Sequence, residues 1–279
     1  MFNYFGQFNP LFKEMSPEPY ASSAWELMQK GGFNSVDIDL DPRFPTNIQM
    51  QNASKFKKEA KEWKLKPLCF HSSPFHRSPE GDFDIETQII NMRIAAEYGV
   101  DFFLIHPYMS SAHGLEKLSL KQKTEHMKFN LDSIMLIAKH AKKHGLRTIV
   151  ENEVFTDFDF YFKLLDELPP EICGAILDAG HANLQVTEKK IPLNEIIYKL
   201  SNRLEHLHLH DNDGISDLHI PMLTQLGTIK WDKAFKALKD IEYKGCLNEE
   251  LTPWTGNALI MWSLRQRRTS PLKDLWHSV

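Results

Sequence analysis

Cysteine is scarce in this chain and scattered. Only Cys69, Cys173 and Cys246 occur, an odd number spaced far apart, each in an apolar run that reads as a strand. That rules against a disulfide framework and marks them as small buried hydrophobes of a reducing compartment. Long apolar runs are also missing: nothing approaches the roughly 18 residues of a membrane span. The opening MFNYFGQFNP lacks the basic flank and apolar core of a signal peptide. A cytoplasmic location is therefore expected. Charge of one sign is lacking too, since the formal net charge is −4, which exerts no global pull on nucleic acid or anionic membrane. No linker, low-complexity segment or compositional break interrupts the 279 residues, so a single domain over 1–279 with ample length for a core is expected.

What is present is a rhythm. Short runs rich in β-branched and aromatic residues recur: FNYF from residue 2, SVDIDL (35–40), PLCFH (67–71), DFFLIH (101–106), RTIVE (147–151), GAILD (174–178), LEHLHL (204–209) and GCLNEE (245–250). Between them lie helix-period stretches such as SAWELMQKG, ASKFKKEAKEWK, TQIINMRIAAEYG, FNLDSIMLIAKHAKKHG, FYFKLLDEL, LNEIIYKL, WDKAFKALKDI and NALIMWSLRQR. Eight such βα units are what a single α/β (β/α)8 barrel requires. A doubly wound open sheet is the competing architecture, but it would offer a glycine-rich phosphate turn after its first strand, where this chain reads GQFNPLF.

A barrel of this kind gathers its chemistry at the C-terminal ends of the strands. Those ends carry His71, His106, Glu151, Asp178, His208 and Glu250, six metal-competent side chains from six strands. One alone would read as a solvated loop residue; their coincidence points to a common site. In the stretch HLHLHDNDGISDLH (206–219), the strand period puts His206, His208 and His210 on one face and Leu207 and Leu209 on the other. The leucines suit the helix-covered outside. The histidines then point inward, where each needs a partner. His208 best matches Asp178 and Glu250 in depth, whereas His206 reads as a hydrogen-bonded core residue and His210 as rim packing. Glu249 has the wrong parity. Asp217 and His219 (D-x-H) and the pair Asp178 and His181 (LDAGH) are spaced to bind together. Mixed imidazole and carboxylate donors suit Zn²⁺, Mn²⁺, Co²⁺ or Fe²⁺ rather than Ca²⁺ or a thiolate site.

FHSSPF, IHPYMS, IVENE, ILDAGHAN, HLHLHDNDGISDLH with GTIKW, and YKGCLNEE, in this order over roughly residues 65–255, resemble the xylose-isomerase-like TIM-barrel superfamily. That superfamily holds sugar isomerases and epimerases and also the endonuclease IV type of DNA-repair enzyme. The resemblance to the sugar enzymes implies one divalent ion, Zn²⁺ or Mn²⁺, on Glu151, Asp178, His208 and Glu250. It further implies that Glu151 and Glu250 are catalytic, removing and returning a proton beside a carbonyl through an enediolate. His181 would then contact a substrate hydroxyl. The endonuclease IV pattern implies up to three zinc ions, and all nine of its ligands have counterparts: His71, His106 and Glu151; then Glu151, Asp178, His208 and Glu250; then His181, Asp217 and His219.

The rest of the chain bears on that choice. Where the nuclease type carries a Tyr-Leu wedge, this chain reads SSPF, leaving Phe75, and PMLTQLGTIKW replaces the Gly-Glu-Gly beyond the D-x-H pair. Where ketose 3-epimerases carry an arginine, Gly214 stands. The lysines of KFKKEAKEWKLK (55–66) interleave with Glu59 and Glu62 as a solvated helix face does, and RQRR (265–268) reads as a basic last helical turn. Trp231 and Trp254 fall beside the rim, where Trp254 could stack on a sugar or base. The expected activity is a divalent-metal-dependent sugar or sugar phosphate isomerase or epimerase; the alternative is a zinc phosphodiesterase acting on abasic-site DNA. A lyase using the same ion, or a barrel that only binds, are further readings. The expected partner is a small sugar-like molecule, with nucleic acid disfavoured, no membrane, and a homodimer as the form such barrels often take.

Overall fold

Eight parallel strands follow one another in chain order round a closed barrel in the computed structural model of this chain. They are β1 (Tyr4–Phe8), β2 (Phe33–Asp39), β3 (Lys66–His71), β4 (Phe102–Ile105), β5 (Arg147–Glu151), β6 (Cys173–Asp178), β7 (Leu204–Leu209) and β8 (Leu247–Glu249). The structure describes residues 4–8, 33–39, 45–72, 85–108, 111–185, 190–223 and 225–250. The stretches SAWELMQKG and NALIMWSLRQR, with Phe75, Trp254 and RQRR, lie outside the described residues. The first strand runs two or three residues later than FNYF suggests, because its register on β2 and β8 starts at Tyr4. Cys246 precedes β8 and is half-buried, while Cys69 and Cys173 are buried.

The helices between the strands are α1 (Thr46–Glu62), α2 (Ile85–Tyr98), α3 (Ala112–Leu115), α4 (Leu120–Lys143), α5 (Phe158–Glu167), α6 (Ala179–Asn183), α7 (Leu193–Leu200) and α8 (Trp231–Asp240). Local chemistry sets their limits. Helix α4 begins well before its strongest apolar period because Ser119 and Gln122 form a capping box, with Ser119 N–H donating to Gln122 Oε1 at 2.9 Å. It stops at Gly145, whose φ of +74° is the left-handed turn that glycine adopts without steric cost. Helix α1 buries Ala53, Phe56 and Ala60 at helical spacing and leaves its lysines in solvent, as the interleaved glutamates imply. Helix α5 turns Tyr161 inward, where its hydroxyl donates to the carbonyls of Val150 and Ile176 and ties the helix to two strands.

Strand parity divides the barrel into two worlds. Outward residues such as Val36, Ile38, Phe70, Phe103, Ile105, Val150, Leu177, Leu207 and Leu209 join one core with the helices. Inward on β3 to β6, Cys69, Leu104, Ile149 and Ile176 form a separate apolar layer. Above that layer the inward positions turn polar, and they converge at the C-terminal rim.

Candidate metal centre

The centre is organised by His208. Its Nδ1 lies 2.7 Å from Glu151 Oε1, 2.9 Å from Glu250 Oε2 and 3.9 Å from Asp178 Oδ2. A bare nitrogen lone pair would repel oxygens this near, so the geometry calls for a cation, proton or metal, between them. Glu151, Asp178, His208 and Glu250 each offer a ligand atom within 4.8 Å of the others. Pairing of Asp178 with His208 and of His208 with Asn248 brings strands β6, β7 and β8 to a common depth. Glu249 faces away from this group, as its parity requires, and is buried outside the barrel wall.

Asp178 is held from behind. Asp178 is pinned by Asn152, which accepts from its N–H at 2.9 Å and donates to its carbonyl at 3.0 Å. The Asp178 carboxylate caps α6 by accepting from His181 N–H at 2.7 Å, which places His181 over the rim. His210 Nε2 lies 3.0 and 3.1 Å from the two Asp178 oxygens and donates to them. A Cβ on Gly180 would sit 1.9 Å from the His210 ring, so the close approach depends on glycine there.

Two further groups flank the centre. His71 and His106 bring their Nε2 atoms 3.0 Å apart and to 3.5 and 3.3 Å from Glu151 Oε2. That oxygen is buried and makes no hydrogen bond of proper geometry among the described residues, as suits an atom awaiting a ligand. On the other side, Asp217 Oδ2 lies 3.1 Å from His219 Nε2 and 3.5 Å from His181 Nε2. His210 completes that group and stacks on His219 with ring centroids 3.7 Å apart. All nine predicted ligands therefore gather at one mouth, which opens to solvent at His71 and Asp217.

Titration follows from these neighbours. Burial pushes the Glu250 carboxyl up, but His208 outweighs it and holds the group down at about 2. Burial would lower His208, yet Glu250 and Glu151 raise it well above the imidazole range. The other pair splits: burial drives His106 down to about 4, while Glu151 and Asp39 overcome burial and carry His71 up to about 9.

The structure adds residues that the strand ends did not reveal. Asp37 and Asp39 face inward on β2; burial lifts Asp39 to about 6 beside His71 and Glu250. Glu153 Oε1 sits 3.1 Å from His106 Nδ1. The run SVDIDL carried a signal for the β2 pair, since its acids alternate with Val36 and Ile38 at strand period. His206 is a buried, hydrogen-bonded core residue as expected, its Nε2 2.6 Å from Asp37 Oδ2. His210 does more than pack at the rim, because it braces Asp178 and belongs to the outer group. Trp231 is buried at the start of α8 and donates to Asp211 at 2.7 Å, so it offers no stacking face.

The model of the xylose isomerase-like TIM barrel family matches residues 25–263. The chain belongs to that family. Among solved structures it is similar to an L-ribulose 3-epimerase, with a TM-score of 0.74, 13% identity and coverage of 100% of this chain and 95% of that one. An IOLI protein described with a binding zinc atom gives a TM-score of 0.73 at 17% identity over 98% of both chains. A D-tagatose 3-epimerase-like protein gives 0.72 at 17% identity, again over 98% of both. No curated protein matches the sequence significantly. At these identities the likeness establishes the fold.

Proposed function

We propose that this member of the xylose isomerase-like TIM barrel family is a divalent-metal-dependent isomerase or epimerase of a small sugar or sugar phosphate. The observation that carries the reading is the convergence of Glu151, Glu250 and Asp178 on His208 Nδ1. One nitrogen and three carboxylates fit Mn²⁺, Zn²⁺ or Co²⁺. Such an ion, when bound, would polarise a substrate carbonyl and its neighbouring hydroxyl. The chain's own residues do the rest. Glu151 on β5 and Glu250 after β8 stand three strands apart round the closed barrel, so they flank a substrate on opposite sides. One can take a proton from the carbon beside the carbonyl and the other return it. His181, anchored through Nδ1 to the Asn152 carbonyl at 3.0 Å, holds Nε2 beside Asp217 at the mouth, where it can meet a hydroxyl. The epimerases among the structural relatives support this reading.

A second reading rests on a separate observation: His71, His106 and Glu151, and His181, Asp217 and His219 with His210, form flanking groups that could each hold an ion, which supports the three-zinc pattern implied by the endonuclease IV resemblance. That arrangement suits phosphodiester hydrolysis at abasic sites in DNA. The experiment that separates them counts metal by elemental analysis, then follows deuterium uptake from D₂O into a panel of ketoses with Mn²⁺ or Co²⁺ present. One exchangeable ion and exchange at the carbon beside the carbonyl support the epimerase. Three tightly held zincs with nicking of abasic duplex DNA, and no exchange into any ketose, would replace it with the nuclease.

A further inference from the structure

The inward layer beneath the centre is apolar on one side and polar on the other. Strands β3 to β6 fill it with Cys69, Leu104, Ile149 and Ile176. Strands β2, β7 and β8 fill it with Asp37, His206 and Asn248, each at most 2% exposed. A buried carboxylate costs several kcal/mol of desolvation, and packing alone would be served by the residues used opposite. The polar side lies directly under His208. Asp37 Oδ2 receives His206 Nε2 at 2.6 Å, Asn248 Nδ2 at 2.7 Å and His208 Nε2 at 3.3 Å.

We propose that Asp37 is a positioning residue for the metal centre: it accepts the Nε2–H of His208 and so commits Nδ1 to the ion. This rests on the rim being a metal centre. A neutral imidazole has one N–H and one lone pair, and a ligating histidine commonly has the other nitrogen held by a carboxylate that fixes tautomer and ring. With an ion among the three carboxylates that face Nδ1, that nitrogen must offer its lone pair, so the proton belongs on Nε2, beside Asp37. His206 and Asn248 hold that carboxylate from two other strands, which prevents it from following the ring if His208 turns. Asp37, His206 and His208 are themselves close enough to hold an ion. That use would occupy Nε2 within a sealed layer, with His208 and Asp37 side chains 1% and 3% exposed, and would leave the rim carboxylates without their nitrogen.

The test uses the full chain and Zn²⁺ itself. Asp37→Asn keeps the shape, and its amide NH₂ can occupy the side of Oδ1, which has no hydrogen-bond partner among the described residues. Zn²⁺ affinity, read by competition with a chromophoric chelator, is expected to fall about 10- to 100-fold in this variant while its circular dichroism stays that of the wild type. A folded Asp37→Asn protein with unchanged affinity overturns the proposal, since a purely structural Asp37 would move the melting temperature and not the zinc constant. The ¹⁵N imidazole spectrum of the zinc-loaded wild type, with His208 assigned by its loss in His208→Gln, is a second measurement that needs no Asp37 variant. Nε2–H with ligated Nδ1 supports the proposal; the opposite tautomer overturns it even if Asp37→Asn does not fold. A wild type that takes up no Zn²⁺, Mn²⁺ or Co²⁺ would instead refute the metal centre itself.

Discussion

Asp211 knots the loop that carries the outer donor group, and its removal should be costly in a measurable way. Its Oδ1 accepts from the N–H groups of Asn212, Thr228 and Ile229 at 2.9, 3.0 and 3.2 Å, and its Oδ2 from Trp231 Nε1 at 2.7 Å. The residue is 1% exposed. Asp211→Asn keeps the size, and its best orientation turns the amide oxygen to the three backbone donors. The NH₂ then meets the indole N–H, so two donors face each other. One hydrogen bond to a charged group, worth about 1.5–3 kcal/mol, is lost, and the other three drop toward the neutral value of about 1 kcal/mol. The sum is at least about 3 kcal/mol.

At about 2–4 °C per kcal/mol for a chain of this size class, the melting temperature of Asp211→Asn should fall by at least about 6 °C. Near-ultraviolet circular dichroism on chelator-treated protein is the assay, since it reports Trp231 and removes any contribution from bound metal. A fall of under about 2 °C would show that the loop is held by other contacts and refute the reasoning. The same variant should loosen Asp217 and His219 while leaving Glu151, Asp178, His208 and Glu250 in place. Metal affinity at Glu151, Asp178, His208 and Glu250 should therefore stay as in the wild type.

Three more outcomes follow from the centre. Glu250→Gln is isosteric and should keep the fold while lowering deuterium exchange into any accepted ketose by about 10²- to 10⁴-fold; near-normal exchange would remove Glu250 from proton transfer. Gly180→Ala drives a methyl into the His210 ring, and overpacking of this kind costs about 1–3 kcal/mol. Because His210 braces Asp178, denaturant unfolding and zinc affinity should both worsen, and an effect on stability alone would detach His210 from the centre. Since His208 is raised above the imidazole range by Glu250 and Glu151 against burial, an incoming ion must displace a proton there. Calorimetry in buffers of different ionisation enthalpy should show proton release, with affinity rising as pH rises; binding independent of buffer and pH would count against His208 as a ligand.

Much of this architecture was legible in the sequence. All eight strands fall within a few residues of the runs rich in β-branched and aromatic side chains, because a strand in a closed barrel must be apolar on its outer face. The gathering of carboxylates and imidazoles at the rim was legible because strand ends are where period and chemistry coincide. Short elements were less so: α3 and α6 are too brief to carry a helical period, and α6 exists because the Asp178 carboxylate caps it. Asp37 escaped notice because it lies mid-strand, two residues before the end, where an acid reads as part of the alternation. Asp211 and Asn212 read as members of a metal-rich stretch. They act on backbone, with Asn212 Nδ2 donating to the Gly180 carbonyl at 2.8 Å. Such roles depend on loops returning from Thr228 and Gly180, contacts that local spacing does not encode.

The polar rim and the apolar wall are two faces of the same strands, and this is what lets the barrel carry so many buried charges. Glu151, Asp178 and Glu250 would repel one another if left bare, yet each has an imidazole within about 3 Å. Across the strand from three of the four central donors stands an apolar neighbour: Val150 before Glu151, Leu177 before Asp178, Leu207 and Leu209 on either side of His208. Full burial of such side chains contributes about 1.5–3 kcal/mol each, enough to offset the desolvation of the paired charges a few ångströms away. The wall therefore fixes the spacing of the carboxylates and imidazoles at the rim. Changes at the rim should alter what is bound, and changes in the wall whether the barrel forms.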